Sequence, residues 1–463
     1  MTATLAKMAG AMLIGFLAAA AFNITDTYFV ARLGTKELAA MSFTFPVAML
    51  IHGLAMGVGV GASAVIARVI GQGQHRRVKR LTTDALLLAV AIVVVLVAVG
   101  LLTIRPLFTL LGATAETLPL VEQYMRIWYV GTIFVVVPMV GNNAIRATGD
   151  TLSPSIVMVV DLGLNILLDP VLIFGFGPIP AMGISGAALA TVLCRALALV
   201  ASLHILGRWK GMLTLERPTR RQVWESWRQI LHIGVPASLS HTLIPISAGL
   251  ILKMVTWFGT AAVAAFGAGS RIEMLTVLPL MAAGASMVPF VGQNRGAKKF
   301  DRIHAAHRVA TRFSIVWGLA CAATLVIASG PASRIFSDDP AVHRWLALLL
   351  CIVPLAFGFK GISHLASSGM NAIGKPYHAW AMMVLRLFVL SLPMAAIGAK
   401  LGGFPGLIAG ITTAEILTGL VAARWIRALY DQLGGKAGPQ RPTQRPTEHG
   451  PPQPLRADCV SPP

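Results

Sequence analysis

Apolar runs long enough to cross a lipid bilayer recur along almost the whole of this sequence. They fall at 8–31, 38–67, 81–104, 119–145, 151–174, 181–206, 230–257, 261–291, 309–330, 341–369, 377–398 and 404–426. A bilayer core of about 30 Å needs about 20 apolar residues per helix, and these runs meet that length. Of the 463 residues, 56% are hydrophobic and 12% charged, where a soluble domain carries about 25% charged residues. Mean hydropathy is +0.74. In lipid a backbone must satisfy its own polar groups, so such runs are helices. The expected fold is an all-α polytopic membrane protein with twelve transmembrane helices. The first run is too long for a signal peptide and has no convincing cleavage site, so it is expected to be retained.

The net charge of +20 would fit nucleic acid if it were spread over a soluble surface. It is not. Arg68, Arg76, Arg77, Lys79 and Arg80 fill one loop, and Arg208, Lys210, Arg217, Arg220, Arg221 and Arg228 another. Arg295, Lys298, Lys299, Arg302, Arg308 and Arg312 fill a third. All three follow even-numbered spans and so share one side. The alternate loops are poor in Lys and Arg, which places the basic side and both termini in the cytoplasm of an inner (plasma) membrane protein. No nucleic-acid partner is expected. Cys194, Cys321 and Cys351 lie in apolar runs without metal-ligand spacing and read as small hydrophobic residues. Residues 431–463, rich in Pro, Gly and Gln, are expected to form a disordered cytoplasmic tail.

The chain repeats itself. Leu33-Gly34-Thr35 with Leu38-Ala39-Ala40 resembles Phe258-Gly259-Thr260 with Val263-Ala264-Ala265. Gly61-Ala62-Ser63 and Gly71-Gln72 find partners in Gly284-Ala285-Ser286 and Gly292-Gln293. The matches divide the chain into a six-helix lobe at 1–206, a cytoplasmic linker at 207–229 and a second six-helix lobe at 230–430. Six spans is an even number, so the lobes are related by a pseudo-two-fold axis along the membrane normal, with a cleft between them.

Asp26 lies late in the first span, where a carboxylate is costly and marks an ion or substrate pathway. The fifth span reads Asp161-Leu-Gly-Leu-Asn165-Ile-Leu-Leu-Asp169-Pro170, so Asp161, Asn165 and Asp169 share a helix face. Asp26 and Asp169 are each about eighteen residues from the inner end of their spans, hence at a similar depth. Thr191 can approach from the sixth span. Two carboxylates, an amide and a hydroxyl can hold Na⁺, and two close carboxylates that repel when both are ionised can equally hold a proton. The residues do not choose between the ions. Asp161, closer to the cytoplasm, with Arg195 four residues after Thr191, is either a proton relay or a structural pair. Asp26 and Asp169 map onto Ile251 and Leu392 in the second half, so the first lobe is expected to hold the coupling chemistry.

The second lobe is more basic. Glu273 is a candidate cleft residue that meets substrate or Lys360, and Phe45 is a candidate cleft wall. Arg386 and Glu415 read as a bracing ion pair. Pro46 and Pro138 are expected to break the second and fourth helices, and Pro279 and Pro354 the eighth and tenth. There is no phosphate-binding loop, no selectivity-filter repeat and no His-Glu-x-x-His, so an ATP-driven pump, a channel and a membrane metalloenzyme are excluded. An ion gradient remains as energy source, with no catalytic residues and no cofactor.

Asp26-Thr27 with Leu33-Gly34, Arg146-Ala-Thr-Gly149-Asp150, Asn165-Ile-Leu-Leu-Asp169-Pro170, Gly183-Ile-Ser-Gly186-Ala-Ala-Leu-Ala190-Thr191 and Val291-Gly292-Gln293 together resemble the multidrug and toxic compound extrusion family. The resemblance is to its prokaryotic branch related to the DNA-damage-inducible F transporters. It implies an antiporter that expels small amphipathic, often cationic compounds in exchange for H⁺ or Na⁺, as a monomer among membrane lipids. It implies a first-lobe cation site at Asp26, Asn165, Asp169 and Thr191, with Asn142 in the same polar network. Another branch carries an acid shortly after Gly-x-Pro in the seventh span; here none follows Gly234-Val-Pro236. The rival readings are a lipid-linked oligosaccharide flippase of the same superfamily and a non-transport membrane scaffold or receptor.

Overall fold

A computed structural model describes residues 2–336 and 338–435. Among them all regular secondary structure is helical, apart from one isolated bridge between Phe176 and Ile179 in a loop. The first lobe comprises α1 (Thr2–Ala31), α2 (Thr35–Gly71), α3 (His75–Leu110), α4 (Leu118–Ala147), α5 (Leu152–Phe174) and α6 (Gly183–His204), the last continued by a π turn to Trp209. The second comprises α7 (Arg220–Val255), α8 (Thr260–Gly296), α9 (Phe300–Phe336), α10 (Pro340–Ile352), α11 (Phe357–Ala372), α12 (Pro376–Val384) and α13 (Leu392–Gly435). A 3₁₀ turn containing Pro354 joins α10 to α11 as one span, and a π turn joins α12 to α13.

Eleven of the described helical stretches are long and apolar enough to cross a membrane. The longest, Pro376–Leu433, is two spans, because Gly402 and Gly403 leave helical geometry and Gly403 takes φ +63°. That left-handed conformation needs glycine, and it turns the chain back across the bilayer. The result is twelve spans in two lobes of six.

Two boundaries and several proline positions differ from expectation. The helix of the seventh span begins at Arg220, inside the stretch 207–229 read as linker. A reciprocal capping box, Thr219 with Gln222, starts it there. Its first ten residues are mostly polar, with Val223, Trp224 and Trp227 as exceptions, and lie outside the apolar run, so hydropathy does not mark them. The last helix runs on through Asp431 to Gly435, five residues into the stretch read as tail; the remainder of 431–463 lies outside the described residues. Pro46, Pro138 and Pro279 do not break their helices, since α2, α4 and α8 run through them. Lipid penalises unbonded backbone groups, so neighbouring turns keep their hydrogen bonds around each proline. Only Pro354 sits at an interruption.

The lobes meet where the duplicated motifs meet. A Cβ on Gly71 would lie 2.0 Å from the Gln293 carbonyl oxygen, and one on Gly296 2.0 Å from that of Arg68. Gly61 is covered by the Ile230 carbonyl at 2.4 Å and Gly57 by the Ser238 hydroxyl at 2.0 Å, measured from the same hypothetical Cβ. Small residues let helices in lipid approach backbone to backbone, where dispersion replaces the hydrophobic effect as driving force. Gln293 Nε2 crosses the seam to donate to the Ala147 carbonyl at 2.7 Å. The basic segments gather at this end: Arg80 donates to the Glu216 carbonyl at 3.1 Å, and Arg77 to the Gln229 side chain at 3.4 Å.

Candidate functional site

The first-lobe polar residues are buried as their spacing predicts. α1 packs on α5, and α5 and α4 both pack on α6. Asp169 and Asn165 are fully shielded, and Asp26, Asp161, Asn142 and Thr191 are buried. The i, i+4 spacing on α5 lets Asn165 donate its amide to Asp169 Oδ1 at 2.8 Å. Asp26 lies within electrostatic reach of Asp169.

Asp161 takes a different role from the other two acids. Arg195 on α6 holds its Oδ2 at 2.7 Å, and the guanidinium stacks 4.4 Å above the Phe22 ring of α1. Asp161 and Arg195 thus form an ion pair between α5 and α6. Among the described residues Asp26 and Asp169 enter no ion pair at all. One oxygen of each, with Asn142 Oδ1, Asn165 Oδ1 and Thr191 Oγ1, is buried without a hydrogen-bond partner. Such orphaned oxygens cost free energy unless something fills them. The set is oxygen only, which suits a hard cation such as Na⁺ or a proton shared by the two acids. Neither Asn142 nor Thr191 is hydrogen-bonded to the acids among the described residues, so their part in the site rests on burial and orphaned oxygens alone.

Two residues escaped the sequence reading. Tyr124 of α4 is buried within electrostatic reach of both Asp26 and Asp169. His52 of α2 lies within reach of Arg195 and places its Nδ1 3.0 Å from the Ala48 carbonyl. A tyrosine or histidine in an apolar run gives no signal that separates packing from function; their closeness to charged groups on other helices appears only in three dimensions.

Among the described residues, both acids inside the second-lobe spans, buried Glu415 and part-buried Glu273, have a basic partner. Lys360 donates to Glu273, and Arg386 grips Glu415 Oε1 through Nε at 3.0 Å and Nη2 at 2.7 Å. Both pairs line a cavity of about 220 Å³ with Ser247, Ser270 and Phe266. Phe45 is 57% exposed and is not part of that cavity's wall.

Comparison with known proteins agrees with this architecture. The MatE family model matches the chain twice, over residues 11–171 and 236–397, once in each lobe. The FAD transporter of Shewanella oneidensis is 38% identical over 408 residues, covering 88% of this chain and 90% of its own. The multidrug export protein MepA of Staphylococcus aureus is 26% identical, covering 91% and 92%. The bent form of the Vibrio cholerae MATE transporter VcmN superposes with a TM-score of 0.89 at 31% identity, over 93% of this chain and 97% of that one. With twelve spans in two duplicated lobes and a family match in each, the chain belongs to the MatE family of membrane transporters.

Proposed function

We propose that this transporter is a secondary antiporter that expels small amphipathic organic compounds, often cationic, in exchange for H⁺ or Na⁺. The observation that carries the reading is the contrast between the lobes. Glu273 and Glu415 are neutralised by Lys360 and Arg386, whereas Asp26 and Asp169 face each other's charge with no basic partner among the described residues. A buried carboxylate without a counter-ion is stable only with a cation or proton beside it. The pair therefore takes up the coupling ion and releases it when access alternates. Binding and release on opposite sides move the lobes, and the drug and ion disfavour each other's states. Both termini and the basic end are read as cytoplasmic. The seam closed at that end, with Phe45, Met49 and Leu50 exposed on the far half of α2, fits a cleft open to the outside.

Proteoliposomes loaded with a fluorescent dye, under imposed Na⁺ or pH gradients, test this. Asp26→Asn and Asp169→Asn are each expected to abolish gradient-driven efflux while the protein still inserts and elutes as a folded species. Wild-type efflux from both variants would remove the reading, and the gradient that drives the wild type names the ion.

A second reading of the substrate is an anion. A 38% identical relative bears the name FAD transporter. The same proteoliposomes separate the two by comparing FAD with a cationic dye as cargo.

A further inference from the structure

The first lobe contains a cavity that the ion site does not use. It has a volume of about 790 Å³ and lies at the basic end, between the first half of α1, the α2–α3 turn, the α4–α5 loop and the linker. Its lower rim carries Lys7, His75, Lys79 and Lys210. Lys210 is spent on Asp150, with Nζ 2.7 Å from Oδ2. Lys7 and Lys79 are exposed and enter no ion pair among the described residues. The rim therefore holds surplus positive charge with a single acid to balance it.

The upper wall is different. Met8, Ala11 and Ile14 follow Thr4 and Lys7 along one face of α1, and Ile14 remains 53% exposed. From Thr4 to Ile14 the helix rises about 15 Å. The cavity thus runs from a cationic floor at the membrane surface to an apolar wall in the hydrocarbon. A soluble anion would use only the lower part. A phospholipid with an anionic headgroup matches both: its phosphate meets the lysines while its acyl chain covers Met8 and Ile14. Basic pockets between transmembrane helices on the cytoplasmic side are suited to this ligand chemistry.

We propose that this cavity is a binding site for an anionic phospholipid of the basic-side leaflet, with Lys7 and Lys79 as headgroup ligands and the Met8–Ile14 face of α1 as the acyl-chain wall. Neither residue belongs to the ion site, and binding can be read without transport.

The test uses the purified full-length protein in detergent and three probes: dioctanoylphosphatidylglycerol, dioctanoylphosphatidylcholine and glycerol 3-phosphate. Native mass spectrometry measures the affinity of each. The glycerol lipid should bind saturably and at least about tenfold more tightly than the choline lipid, and Lys7→Gln/Lys79→Gln should lose on the order of tenfold or more of that affinity. Lys79→Glu alone, at an exposed position, should show a loss in the same direction and guards against a folding defect in the double variant. Equal affinity for the two lipids, or wild-type affinity in both variants, overturns the proposal. Glycerol 3-phosphate binding as tightly as the lipid overturns it too, because the acyl wall would then contribute nothing.

Discussion

Arg195 holds Asp161 at 2.7 Å while its guanidinium lies on the Phe22 ring, so this cation is committed to the acid nearest the basic end of α5. Asp26 also lies within its electrostatic reach. The Asp161 pair therefore keeps an arginine from neutralising the ion site. Asp161→Asn should release it. Breaking a buried pair costs about 3–5 kcal/mol, and the 23% exposure of Arg195 reduces this to roughly 1–3 kcal/mol. The expected result is a lower Tm in detergent together with reduced efflux. The Asp161→Asn/Arg195→Gln double variant should recover part of both. Additive losses in that double-mutant cycle would show that the pair has no such role.

Tyr124 offers a second measurement. Its hydroxyl, like the Asn142 amide, is a group on α4 able to donate to a carboxylate of the ion site. Tyr124→Phe keeps the packing and removes the hydroxyl; if that hydroxyl donates to the site in the transport cycle, losing a hydrogen bond of about 1 kcal/mol should shift the half-saturating ion concentration for efflux by roughly fivefold. An unchanged ion dependence would leave Tyr124 as packing only.

The Asp150–Lys210 pair ties the linker to the first lobe and titrates outside the membrane. Burial raises the Asp150 carboxyl, but the Lys210 and Ser153 hydrogen bonds and the Lys210 charge outweigh it and hold it below the ordinary carboxylate range. A carboxyl depressed in the folded state contributes stability above its unfolded value and loses it as pH falls through the folded one. Linker docking should therefore be constant at neutral pH and weaken only below about pH 4. Limited proteolysis of the linker with an acid-active protease should show wild type approaching the rate of Asp150→Asn in that range. At neutral pH, trypsin should cut the variant faster.

Closure of the basic end depends on glycine at the seam. With the Gln293 carbonyl 2.0 Å from where a Cβ would stand, Gly71→Val cannot keep the present contact. Cysteines introduced at Arg68 and Arg295, on either side of the seam, should cross-link readily in the parent and poorly in Gly71→Val. Efflux should fall at least tenfold, since a transporter held from one of its states cannot complete a cycle. Cross-linking equal to the parent would place the tolerance elsewhere.

What the sequence made legible follows from what lipid penalises. Apolar length marked all twelve spans, and the cost of burying charge marked Asp26, Asn165 and Asp169 before any helix was placed. Hydropathy did not see Arg220–Gln229, because it reports where a helix is wet by lipid and not where it begins. Buried Asp84 also went unnoticed, although Arg80 binds it from one turn before at 3.0 Å and Trp227 donates to its carbonyl at 2.9 Å. Near a span end, an acid with a neighbouring arginine looks like ordinary surface charge. Tyr124 and His52 needed the packing of α1, α2, α4 and α5 to become visible.

The contact of Gly71 with Gln293, and of Gly292 with Ala67 at 2.8 Å from its hypothetical Cβ, sets one copy of a Gly-Gln motif against the other. Such a surface is close to self-complementary, the property that lets identical subunits form a two-fold dimer. The covalent tether is then a convenience of concentration rather than a source of register. Two co-expressed half-chains, divided between Gly211 and Thr219, carry all the information needed to find each other in a bilayer and close the same seam.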